Sequence, residues 1–140
     1  MTSGNWLNIL VNKGVNVKYT INGKEYTEFD INTYLAYKLL DGEFFLNLES
    51  KTVDLISFQT FLGGYGEPHE KVVKYGEYDP CSNPTDTWPI IEKCWDELMS
   101  KWIVTGHRTL TEWGCLIEKH NCTKLVAACI CFIEISGGAE

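Results

Sequence analysis

The chain has no long apolar run. No stretch approaches the roughly 18 consecutive apolar residues of a membrane-crossing helix, which excludes a protein held in a bilayer by such a segment. Arginine is almost absent, with Arg108 the single example, so bidentate gripping of phosphates or carboxylates has one residue to work with. Positive charge is scarce in general: 12 Lys and Arg stand against 19 Asp and Glu, for a net charge of −7. A surface that tracks a phosphate backbone needs a local basic excess. The densest basic stretch, Lys71 to Lys74, is flanked by Glu67, Glu70 and Glu77, so duplex nucleic acid is not expected as a partner. No C-x-x-C pair exists among Cys81, Cys94, Cys115, Cys122, Cys129 and Cys131, so neither a zinc ribbon nor a thioredoxin-like motif is present.

The start of the chain, Met-Thr-Ser-Gly-Asn-Trp, lacks the basic and apolar regions of a secretory signal. The cysteines are therefore expected as reduced, buried thiols of a cytoplasmic protein, with neither metal nor cofactor. Cys115, His120 and Cys122 match no usual metal-ligand spacing. The hydrophobic content of 44% excludes a disordered chain. A chain of 140 residues reads as one domain, able to bury about 68% of its unfolded surface.

Periodicity gives the elements. Residues 5–11 read as a short helix or an edge strand. Val15 to Ile21 alternates as a strand, and Asn22-Gly23 is a tight hairpin turn into Lys24–Tyr26. Thr27 and Asp30 form a capping-box pattern before a helix carrying Phe29, Ile31, Tyr34, Leu35, Leu39 and Leu40, stopped near Gly42. Glu43 to Glu49 and Thr52 to Leu62 read as strands. Gly63 to Pro68 reads as a long hairpin loop or a lid, before a strand around Val72–Tyr75. Pro89 fits a first helical position, which predicts a helix over 89–102. Its face of Trp88, Ile91, Trp95, Leu98 and Trp102 is expected in a core or an interface. Ile103–Thr105 and Thr109–Ile117 read as strands joined near Gly106-His107. A last helix, capped by Asn121 or Thr123, is apolar on all sides from Leu125 to Ile133 and ends at Gly137-Gly138. The expectation is an α+β fold: a mainly antiparallel sheet packed with about three helices, near 28–41, 89–102 and 124–135, in a single compact sandwich domain.

The most distinctive segment is Tyr78-Asp79-Pro80-Cys81-Ser82-Asn83-Pro84-Thr85-Asp86-Thr87-Trp88-Pro89-Ile90-Ile91. Three prolines in ten residues stiffen it. It resembles the signature of the NinX family of small lambdoid-phage proteins, roughly D-P-C-x-N-P-x-D-x-W-P-I-I. Thr27-Glu28-Phe29-Asp30-Ile31-Asn32 resembles that family's early helix. Leu125-Val126-Ala127-Ala128 resembles its terminal helix, with Val126 where an arginine is usual. A wider set of phage α/β/α sandwich domains shares the plan. The resemblance covers residues 26–135 and leaves residues 1–25 and the Gly63 to Glu70 loop as additions. It implies a phage or prophage accessory protein in the cytoplasm of a bacterial host.

Carried over to this chain, the motif offers Tyr78, Asp79, Asn83, Asp86 and Trp88 as ligand-binding candidates. The competing reading is turn chemistry, in which the short polar side chains bond the local backbone. With 18 aromatics available for stacking, the expected function is a non-enzymatic binding protein that captures a small host molecule, such as a nucleotide-like immune signal, in counter-defence. One alternative is a factor that inhibits or redirects a host protein. Another is a small enzyme using a Cys/His or Asp site. A homo-oligomer, most simply a dimer, is expected from the apolar last helix and the tryptophan face.

Overall fold

The structure, a computed structural model, describes residues 17–104 and 108–137. The expected element at residues 5–11 and the Gly106-His107 turn lie outside the described residues. The chain is α+β, with seven described strands, all antiparallel, in three separate sheets rather than one. β1 (Tyr19–Ile21) and β2 (Lys24–Tyr26) form a short hairpin through Asn22 and Gly23, whose φ values of 52° and 83° suit that dipeptide. α1 (Glu28–Leu39) starts at Thr27, which forms the expected capping box with Asp30. β3 (Phe44–Asn47), β4 (Thr52–Leu62) and β5 (Pro68–Tyr78) form the second sheet, in the order β3-β4-β5.

The next region departs from the expected single helix over 89–102. α2 runs Pro84–Lys93, a short α3 follows at Trp95–Leu98, and β6 (Lys101–Val104) pairs with β7 (Arg108–Thr111). Pro84, not Pro89, takes the first helical position, because Asn83 caps the helix by accepting the Thr85 N–H at 3.0 Å. The helix stops at Cys94, and Ser100 closes the next turn onto the Glu97 carbonyl. The 3-4-3-4 tryptophan spacing therefore runs across two helices and into a strand. Ile91 and Leu98 are buried, but Trp88, Trp95 and Trp102 are 55%, 47% and 53% exposed, so the tryptophans are not core.

The second departure is α4 (Glu112–His120), where a strand over 109–117 was expected. Thr111 caps it through the Gly114 N–H, and Asn121 ends it at φ 49°. Alternation of Trp113, Cys115 and Ile117 imitates a strand, yet Trp113, Leu116 and Ile117 also lie at helical spacing, and the caps decide.

α5 (Lys124–Ser136) is the centre of the molecule. α1, α2, α3, α4 and β1 all pack against it. Val126, Ala127, Ala128, Cys129, Ile130, Cys131 and Ile133 are buried, so its all-round apolar character is consumed within the chain. Ala127 and Ala128, with no exposed surface, let neighbouring elements approach closely. The six cysteines are free thiols. Among the described residues no helix is long and apolar enough to cross a membrane.

Candidate functional site

Two places on this frame gather polar side chains. The first is the proline-rich turn. Tyr78 closes β5 opposite Val53 and is buried, which pushes its phenol up from the ordinary range. The Asp79 Oδ1 accepts the Asn32 amide N–H at 2.8 Å, and the Asn32 carbonyl oxygen accepts the Cys81 backbone N–H at 3.2 Å. Asp86 accepts the Asp79 backbone N–H at 2.9 Å. The Asp79 carbonyl accepts the N–H groups of Ser82 and Asn83 at 3.1 and 2.7 Å. Thr87, fully buried, donates its hydroxyl to the carbonyls of Pro80 and Asn83.

The structure thus brings Tyr78, Asp79, Asn83 and Asp86 together, with oxygens of Asp79, Asn83 and Asp86 engaged inside the turn or on α1. Trp88 faces outward instead. It lines a shallow groove of about 360 Å³ with Glu92 and Trp95. Asn32 completes the turn. It appears in the sequence as one polar residue of an amphipathic helix, and only the fold shows it meeting Asp79.

The second place is a cleft of about 580 Å³ between the β1–β2 turn and the last turns of α4 and α5. Lys18, Asn22, Lys119, His120 and Glu134 supply its polar lining, with Tyr19 alongside. The Asn22 amide donates to the Ile133 and Glu134 carbonyls at 3.5 Å, holding the turn against the end of α5. The His120 ring stands edge-on to Tyr19, with centroids 6.3 Å apart. Its Nε2 atom is sealed from solvent and has no hydrogen-bond partner. Burial, reinforced by the charge of Lys119, holds the His120 imidazole below its usual basicity. Burial raises the Glu134 carboxyl, against the opposing pull of Lys119.

Lys18, which also stands 3.9 Å from the Glu25 carboxylate, and Lys119 bring two ammonium groups to this cleft of an otherwise acidic chain, with the Glu134 carboxyl beside them. Sequence reasoning missed this cleft. Lys18 and Lys119 are 101 positions apart, and no local motif connects them. Only the packing of α4 on α5, and of α5 on β1, does.

A family model described as "Bacteriophage P22, NinX" matches residues 3–135. The match takes in residues before Tyr26 that the motif comparison left outside the shared core. No curated protein and no solved structure matches the chain significantly.

Proposed function

This chain belongs to the bacteriophage P22 NinX family, and from that membership we propose that this small phage accessory protein is a binding protein for a small anionic host molecule, acting in the host cytoplasm. The capture site is the cleft of Lys18, Asn22, Lys119 and His120. The observation that carries the reading is the convergence of the Lys18 and Lys119 side chains on one cleft of an otherwise acidic chain. The Tyr78 to Asp86 turn is the frame that fixes α1 against α2. Capture by charge is the chemistry that the cleft's lysines serve.

The test is thermal unfolding with inorganic phosphate and with nucleoside monophosphates. Binding raises the melting temperature with ligand concentration, and added neutral salt weakens the effect. Lys18→Glu and Lys119→Glu should each remove the shift while the ligand-free proteins melt as the parent does. A parent protein whose melting temperature ignores both probes would overturn the reading.

The exposed Trp88 and Trp95 support a second reading, a host-protein contact at their groove. Trp88→Ala should then abolish co-purification of a host protein without touching anion binding.

A further inference from the structure

The β4–β5 hairpin is longer than the sheet that supports it. β3 pairs only with Thr52 to Leu55, so among the described residues the ribbon beyond Ile56 has two strands and two unpaired edges. A lone two-stranded ribbon is marginal in water. This one carries apolar side chains into solvent: Phe58 is 53% and Val72 55% exposed, and Phe58 lies directly across from Val72.

The hydrogen-bond phase of the ribbon follows from two independent observations. The Ile56 N–H donates to the Glu43 carbonyl at 3.2 Å, on the side away from β5. Ile56 and Lys74 are therefore a non-hydrogen-bonded pair, and Lys74 turns its own N–H and C=O outward. By alternation, Phe58 with Val72, Thr60 with Glu70 and Leu62 with Pro68 are pairs of the same kind. Pro68, which has no N–H, sits where none would be needed for the β4 ladder, and the Gly63 N–H bonds Glu67 one step further on, as this phase requires. The free edge of β5 thus presents the backbone groups of Glu70, Val72 and Lys74.

We propose that this edge pairs antiparallel with the same edge of a second copy, across a two-fold axis at Val72. In that register Val72 faces the second copy's Val72, and Glu70 faces its Lys74, twice by symmetry. The edge is complementary to itself in backbone phase and in charge. Shifting the register by one residue would instead set Lys71 against Lys74 and turn the backbone groups out of phase. Side chains of Phe58 and Val72 from both copies then form a continuous apolar strip, and two three-stranded sheets become one. Lys74 already bonds Asp54 and Glu77, at 3.2 and 2.9 Å, which holds its ammonium at this face. The apolar last helix, from which an oligomer was first expected, is buried inside the chain and plays no part.

Sedimentation velocity across micromolar concentrations should find a species of twice the 16.0 kDa chain mass. Val72→Pro removes an N–H that faces away from β4, so the hairpin tolerates it while the pairing is lost. Glu70→Lys sets lysine against lysine and should weaken association about tenfold or more. Should Val72→Pro disturb folding, Glu70→Lys still reads the interface, since Glu70 is exposed. A parent protein that stays monomeric overturns the proposal. So does a dimer that neither folded variant weakens, and so does a parent that pairs through this edge only with a host protein.

Discussion

A single carboxamide closes the proline-rich turn from the α1 side. Asn32 donates to Asp79 and accepts from Cys81 while almost wholly buried. Asn32→Leu removes both bonds and leaves a carboxylate oxygen and an N–H without partners. It should cost about 2–4 kcal/mol in urea unfolding. Asn83→Ala loses only the helix cap and should cost about 1 kcal/mol. Trp88→Ala should cost no more than about 1 kcal/mol, because the indole is half exposed. His120 gives the fold a pH dependence with a definite sign. Its folded basicity lies below the ordinary 6.5. Above 6.5 the imidazole is neutral folded or unfolded. Below it the unfolded chain takes up a proton that the folded chain resists, so stability falls as the pH drops through that window. Glu134, with a raised carboxyl in the same cleft, acts in the opposite direction as the pH falls toward its ordinary 4.5. His120→Gln should therefore flatten the urea midpoint between neutral pH and the region just below 6.5.

At the scale of elements, much was legible where local chemistry acts alone. The capping box of Thr27 and Asp30, the Asn22-Gly23 turn, the span of β4 and the body of α5 all follow from patterns within a few residues. The errors fell where two periodicities coincide. Trp88 to Trp102 keeps helical spacing through a break at Cys94, because spacing carries no record of where a backbone ends its ladder. Trp113, Cys115 and Ile117 alternate inside a helix that Thr111 caps, and alternation carries no record of a cap. The cleft of Lys18 and Lys119 was not legible at all, since the two lysines come to one place only through tertiary packing. The close fit around α5 predicts that Ala128→Leu, an overpacking change at a site with no exposed surface, costs about 1–3 kcal/mol, with the loss read from the same urea curves.

At the scale of the whole molecule, charge and shape divide the labour. A net charge of −7 repels anions from afar, so the proposed capture of an anion in the cleft would rest on the short-range charge of Lys18 and Lys119. The same excess opposes compactness, and moderate neutral salt should raise the ligand-free melting temperature while weakening anion binding. These opposite trends are measurable in one titration and separate general screening from a site. Family membership accords with the Asp79 to Ile91 signature, which builds the joint between β5, α1 and α2.

That joint also has a meaning in time. Asn32, Pro80 and Cys129 meet there, the Cys129 thiol reaching the Pro80 carbonyl at 3.6 Å and the Asn32 amide reaching Asp79. The β4–β5 hairpin closes a short loop between neighbouring strands, whereas the joint waits for α1 and α5 to arrive from 47 and 49 positions away. Its bonds are therefore expected to form after the rate-limiting barrier. In a chevron experiment Asn32→Leu should steepen nothing on the refolding limb and accelerate the unfolding limb, while truncation of the buried Val53 in the hairpin should slow refolding. The signature of this chain then governs how long the folded protein lasts rather than how quickly it appears.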